Sequence, residues 1–242
     1  MVWAALAAGA AVGGFIQALT GFGAAVIIVI VMSFFMSIQT VPALSSAICL
    51  FLSVGMTFRC RKSIRFRQVL WPTAIADVIS LLIISRVSRF PVDTLKLIFG
   101  VFLILLALYF YFFADKVMLK KPGTAVMIGC SGLSGVTAGL FSISGPTMAL
   151  YFLAASDDGD SYVANLQCHF LITNILIMAG RTANGFLTPA MLPMVIVGTM
   201  AVFAGVYAGE RARRRLTGDK LRRVVYAAVG LSGLTTVLQQ LM

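Results

Sequence analysis

Charge is what this sequence has least of. Asp, Glu, Lys and Arg make up only 11% of its 242 residues, where a water-soluble domain carries about a quarter. No charged residue lies between Met1 and Phe58, and further uncharged runs cover 97–114, 122–156, 161–180 and 182–209. Metal chemistry is equally poorly provided for. There are four cysteines, Cys49, Cys60, Cys130 and Cys168, with no Cys-x-x-Cys among them, and a single histidine, His169. Paired Cys/His ligands are absent, so neither a metal nor a cofactor is implied, and the cysteines read as small apolar side chains. The apolar N-terminus lacks the Lys or Arg that opens a secretory signal and reads as part of the mature fold.

What is present in excess is apolar length. Hydrophobic residues make up 60% of the chain and the mean hydropathy is +0.99. The uncharged runs are long enough for membrane-crossing helices, the structure that satisfies every backbone group within one segment. The fold class is therefore an all-α polytopic membrane protein. Spans are expected at 40–58, 68–85, 91–113, 161–180, 188–208 and 219–240. Two runs do not fit the pattern. Residues 1–38 and 122–156 are each too long for one span of about 20 residues and too short for two full spans with a turn, so each is expected to be a broken helix or a re-entrant hairpin.

The net charge of +11 is concentrated in "RCRKSIRFR" at 59–67 and "ERARRRLTGDKLRR" at 210–223. In a soluble protein such clusters would suggest nucleic acid. Between membrane spans they mark cytoplasmic loops and anionic lipid headgroups, met here by Arg59, Arg61, Lys62, Arg211, Arg213, Arg214 and Arg215.

The two anomalous runs carry related motifs. "GFIQALTGFGAA" starts at Gly14 and "GVTAGLFSISGP" at Gly135, an offset of 135 − 14 = 121. At that offset Leu19 matches Leu140, and Gly21-Phe22-Gly23 matches Ser142-Ile143-Ser144. Pro72 matches Pro193, and "DTLK" at Asp93 echoes "DKLR" at Asp219 with a small insertion. The chain thus divides into repeats at 1–116 and 117–242. If the 122–156 block crossed once, the two basic loops would lie on opposite faces, against the positive-inside rule. A block that enters and leaves by one face puts both loops, with the 115–121 linker, in the cytoplasm. Each half is then a re-entrant or broken hairpin plus three transmembrane helices, and the halves are inverted. Arg86, Arg89 and Arg181 fall on the external side.

Irregular backbone at membrane depth must line protein or a watery cavity. Gly21, Gly23 and Gly145 allow tight turns and close ligand approach, and the helix after each break offers an amide-rich N-terminus suited to an anion. Thr20, Ser142 and Ser144 add uncharged hydroxyls. Gln17 lies one turn before the first break, placed either for a helix–helix hydrogen bond or for ligand. In the 161–180 span, Asn165, His169 and Thr173 share a face by i, i+4 spacing, and with Asn174 they are candidates to line a cavity. Asp77 is the one acid well inside a span. Asp77 and His169 are the titratable candidates for ion coupling. "SDDGD" at 156–160 reads as a solvated turn rather than a calcium loop.

These two motifs, the second extended as "GVTAGLFSISGPTMALYFLA", with a basic loop after it, resemble the sulfite exporter TauE/SafE family, also called TSUP, over essentially the whole chain. The resemblance implies a bacterial inner-membrane carrier for sulfite, sulfonates or related organosulfur anions, without a cofactor and not an enzyme. Its expected substrate contacts are Gln17, Thr20, Gly21, Gly23, Ser142, Ser144, Gly145, His169 and Asn174. A passive anion channel shares the anion-binding arguments. An intramembrane serine protease would need Ser144 and His169 to pair as nucleophile and base. A second copy of the chain is a candidate partner.

Overall fold

In the computed structural model, which describes residues 1–113 and 122–213, every regular element is helical. The order is α1 (Val2–Thr20), α2 (Ala24–Ser33), α3 (Val41–Cys60), α4 (Phe66–Val87), α5 (Val92–Phe113), α6 (Thr124–Phe141), α7 (Gly145–Ala155), α8 (Gly159–Ala183) and α9 (Leu192–Arg213). Single 3-10 turns at Arg61–Ser63 and Pro189–Met191 follow α3 and precede α9. Six of the described helices, α1, α3, α4, α6, α8 and α9, are long and apolar enough to cross a membrane. The 115–121 linker, the 219–240 span with its "DKLR", and Arg214 and Arg215 lie outside the described residues.

Both anomalous runs are broken where the motifs lie, but unevenly. The first arm of each is a helix of crossing length, 19 residues in α1 and 18 in α6, and the second arm is half that, 10 residues in α2 and 11 in α7. Each run thus holds more than one span and less than two, as a broken helix requires. Apolar length is not shared equally about the break, so each hairpin has one full arm and one half arm. Within the first hairpin the arms run antiparallel: a side chain on Gly9 would meet Val31 at 3.1 Å, and one on Gly13 would meet the Ala24 backbone at 2.9 Å.

Helix packing rests on glycines that let backbones touch, as expected where lipid removes most of the hydrophobic drive for helix association. Gly205 and Gly209 of α9 lie on the carbonyls of Ala11 and Phe15 in α1, and Gly135 and Gly139 of α6 lie on those of Ala76 and Ser80 in α4. In both pairs the partner numbers rise together, so α1 runs parallel to α9, and α4 to α6. Ser53 with Asn174 and Thr57 with Gln167 pair with one number rising as the other falls, so α3 and α8 are antiparallel. Arg59 and Glu210 form an ion pair at 2.7 Å, which places the ends of α3 and α9, and with them the first basic cluster and the start of the second, at one end of the molecule.

The "SDDGD" loop does more than turn the chain. Asp158 Oδ1 accepts the Ser161 amide at 2.6 Å, and the Asp158 amide donates to Ser161 Oγ at 3.2 Å, closing a capping box on α8. These bonds hold the Asp158 carboxyl below the usual carboxylate range. Its support for α8 is therefore present above the unfolded carboxyl pKa and lost as pH falls through the lowered one.

Replacing Gly205 by alanine puts a methyl into the Ala11 carbonyl and should destabilise the protein by about 1–3 kcal/mol, the usual cost of overpacking. Gly129→Ala, where a Cβ meets nothing within 4 Å, should leave the melting temperature in detergent unchanged or slightly raised. Equal melting temperatures for the two variants would show that the α1/α9 contact tolerates separation.

Candidate functional site

Each break is built the same way from different residues. α1 ends at Gly21 in the left-handed region (φ 86°), and α6 ends 121 residues later at Ser142, also left-handed (φ 58°). Glycine reaches that region without cost and serine does not. Ser142 is the one non-glycine with positive φ among the described residues. Its hydroxyl donates to the Pro42 carbonyl at 2.8 Å, which ties the strained turn to the start of α3. Thr20 does the equivalent work locally, its Oγ1 lying 2.6 Å from the Phe22 carbonyl and 3.0 Å from that of Ile16. Gln167 Nε2 of α8 donates to the Gly21 carbonyl (3.0 Å) and holds the first turn from outside, while Ser134 Oγ of α6 donates to the Ser144 carbonyl (3.3 Å) and holds the second from within its own hairpin.

The two breaks converge. A small cavity of about 30 Å³ is bounded by Gln17, Gly23, Ser142, Ser144, Gly145 and Asn174, together with Ser53, Cys49 and Phe170. The first turns of α2 and α7 both border it, and first-turn amides have no partner inside their helix. One of them, Ala24 N–H, donates to Gln17 Oε1 at 3.0 Å. That leaves the Gln17 amide nitrogen without a partner among the described residues. Asn174 Nδ2 donates to Ser53 Oγ at 3.1 Å, and Ser53 Oγ donates on to the Cys49 carbonyl at 2.8 Å, so Asn174 Oδ1 is uncommitted. Ser144 Oγ makes no hydrogen bond among the described residues. No charged side chain lines the cavity.

A larger cavity of about 700 Å³ lies beside the first, at the end of the molecule that carries Arg59 and Glu210. Thr20 and Gly21 line it, with Cys60, Ser63, Asp160 and Tyr162, and Gln17 lines both spaces. At the same end, Arg61 stacks on Phe58 (4.0 Å) and Arg211 on Tyr207 (4.5 Å).

Of the nine substrate candidates read from sequence, six border the inner cavity, Thr20 and Gly21 border only the outer one, and His169 borders neither. The shared face of Asn165, His169 and Thr173 exists, but it is turned towards α4 and its N-terminal approach. Asn165 bonds Arg65 N–H and Gln68, His169 Nδ1 lies 3.0 Å from Thr73 Oγ1, and Thr173 Oγ1 donates to Asp77 Oδ1 at 2.7 Å. His169 Nδ1 is also 3.5 Å from Thr173 Oγ1, so Asp77 and His169 are linked through one hydroxyl. Asp77 Oδ2 and His169 Nε2 are buried without partners among the described residues. This geometry gives Ser144 and His169 no nucleophile–base contact, because the imidazole's hydrogen-bonding neighbours are the two threonines. No group of three or more metal-ligating His, Cys, Asp or Glu side chains comes together among the described residues.

Ser53 was missed in the sequence although a signal existed. It precedes Asn174 by 174 − 53 = 121 residues, so the repeat places these two residues at equivalent positions. Arg181, assigned by sequence to the external side with Arg86 and Arg89, is fully buried. Its surroundings, described below, supply the carbonyl acceptors that let a charge leave the surface.

Six described helices of crossing length, with two broken hairpins meeting at a small cavity that Gln, Asn and Ser side chains border, fit a multi-pass membrane protein. The chain belongs to the sulfite exporter TauE/SafE family, whose model matches residues 5–236. No curated protein and no solved structure matches it.

Two serines that sequence treats alike are separated by this geometry. Ser144→Ala should weaken binding of the transported anion by roughly 10- to 100-fold, the worth of one hydrogen bond to a charged group, about 1.5–3 kcal/mol. Ser142→Gly keeps the left-handed turn, frees no cavity donor and should leave affinity within about 2-fold while changing the melting temperature. Isothermal titration and a thermal melt of each variant read the two effects. Equal affinity losses would mean that Ser142 also faces the ligand.

Proposed function

We propose that this protein is a secondary transporter of a small sulfur oxyanion, sulfite or a sulfonate, in the bacterial inner membrane. It works by alternating access between two inverted halves, 1–116 and 117–242. The observation that carries the reading is the convergence of two breaks 121 residues apart on one uncharged cavity. Helix N-terminal amides, the Gln17 amide nitrogen and Ser144 Oγ offer an anion donors without a fixed counter-charge. That suits a ligand which must be released as well as bound. A cavity of about 30 Å³ holds a water or two. Admitting an oxyanion requires the halves to move, as alternating access demands.

Inversion is supported by the antiparallel course of α3 against α8, which are equivalent helices at the repeat offset. The shared end of α3 and α9 is assigned to the cytoplasm, where Arg59, Arg61, Lys62 and Arg211 meet anionic headgroups and draw anions towards the outer cavity. In the same frame, single cysteines introduced at Lys62 and Arg211 should both label from the cytoplasmic side of inverted and right-side-out vesicles. Labelling from opposite sides would remove the inverted arrangement.

Coupling is assigned to Asp77 and His169. Shifting by 121 carries Thr73, Asp77, His169 and Thr173 onto Met194, Gly198, Ile48 and Leu52. At that equivalent place Gly198 packs directly on Ile48. One α-helical interface is thus closed with apolar groups alone, while the other accepts a buried carboxyl and imidazole at a cost that packing does not require. A proton carried on this hydroxyl-linked pair gives those groups a use.

Reconstituted protein tests the function directly. Wild type should accumulate labelled sulfite or taurine against its gradient when a proton gradient is imposed, which a passive channel cannot do. Asp77→Asn or His169→Gln should abolish the response to the proton gradient while retaining sulfite–sulfite exchange. If both variants concentrate substrate as well as wild type, neither residue carries the proton.

A further inference from the structure

The two ends of the cavity system differ. Beside the last turn of α1 the outer cavity stands open, and Cys60 lines it. The equivalent residue of the second half, 60 + 121 = 181, is Arg181, and beside the last turn of α6 its side chain fills the space. The residue is 0% exposed. Nη2 donates to the Gly139 and Leu140 carbonyls at 2.8 and 2.9 Å, and Nη1 donates to the Gln39 carbonyl at 3.2 Å. The first two are carbonyls of the last turn of α6, where the helix dipole is negative. Gln39 belongs to the other half and is itself anchored, its Nε2 donating to the Phe90 carbonyl at 3.3 Å. The Phe186 ring lies 6.0 Å from the guanidinium carbon.

Among the described residues this cation meets no carboxylate. The Arg59–Glu210 ion pair lies at the opposite end, and the Nε of Arg181 is buried with no partner among the described residues. A buried charge held by neutral carbonyls, with one donor left idle, is an expensive way to close a helix end. The first half closes nothing at the corresponding place, so the fold does not demand it.

We propose that Arg181 is both the latch of the closed face and a cationic subsite for the oxyanion when that face opens. The second role rests on the transporter reading above; the first does not. Closed, the guanidinium bridges the last turn of α6 in one half to Gln39 in the other. Opening draws those carbonyls apart and leaves a planar fork of donors without acceptors, the arrangement that grips an oxyanion in paired hydrogen bonds. Anion arriving from that face replaces the carbonyls, and reclosure of the latch displaces it inward to the neutral cavity.

The latch is read with a reporter cysteine in full-length protein whose four native cysteines are replaced. Ser144→Cys should resist a membrane-impermeant maleimide applied from the face opposite Arg59. Adding Arg181→Gln should make it react, and Arg181→Lys should restore part of the resistance. The subsite is read in two ways. Arg181→Gln should raise the KM for sulfite applied from that face by roughly 10- to 100-fold, the worth of one hydrogen bond to a charged group. In the wild-type protein, saturating methanesulfonate, an oxyanion that does not react with the reagent, should slow modification of Arg181 by phenylglyoxal relative to Arg59, followed by peptide mass spectrometry, which needs no variant to fold.

Unchanged maleimide resistance in folded Arg181→Gln overturns the latch. An unchanged KM together with unprotected Arg181 overturns the subsite. If wild-type protein neither binds nor moves sulfite or taurine, the transporter reading fails by itself, and the maleimide result still decides the latch.

Discussion

Backbone hydrogen bonding at membrane depth governs this molecule. A helix that stops inside the bilayer exposes carbonyls at one end and amides at the next, and lipid can satisfy neither. This chain stops twice, after Thr20 and after Phe141, and the surrounding helices are placed where they answer the freed groups. Gln17 reaches forward to the Ala24 amide, Gln167 reaches across to the Gly21 carbonyl, and Arg181 gathers the last carbonyls of α6. The amides left over face a cavity instead of lipid. The cavity is thus what remains after the protein has satisfied most, but not all, of two broken helices.

A repeated frame makes departures from the repeat informative. Gly21 and Ser142 adopt the same left-handed conformation, and Ser53 and Asn174 meet each other across the offset. Against that background three differences stand out. Serine occupies a turn that glycine would enter without strain. A carboxyl and an imidazole lie between α4 and α8, while the equivalent interface pairs Gly198 with Ile48. An arginine fills a space that is an open cavity in the other half. None of these is needed to pack the helices, because the other copy packs without it.

Glycine has two separate duties here, and the distinction explains why its motifs are informative but incomplete. Gly21 and Gly23 hold positive φ at the first break. Gly135, Gly139, Gly205 and Gly209 are ordinary helical residues whose missing side chains bring α4 to α6 and α1 to α9. Both kinds look identical as letters. What separates them is whether a neighbouring backbone occupies the place of the absent Cβ, and that is a property of the partner helix.

Uncharged runs of crossing length dictate apolar helices by themselves, because charge is too costly in lipid for any other reading. The offset of 121 and the Gly/Ser breaks locate both hairpins and six of the cavity residues, since a break at membrane depth must face something other than lipid. Sequence also placed Asn165, His169 and Thr173 on one helical face, because 3.6-residue periodicity is local. It could not tell which neighbour that face would meet. Packing against α4 joined His169 to Thr73 and Thr173 to Asp77, while Asn174, one residue further on, turned towards the cavity. Arg181 belongs to the same class. As a letter near the end of a span it reads as a surface charge. Only the approach of Gly139, Leu140 and Gln39, each more than 40 residues away in the chain, supplies the acceptors that allow a guanidinium to be buried.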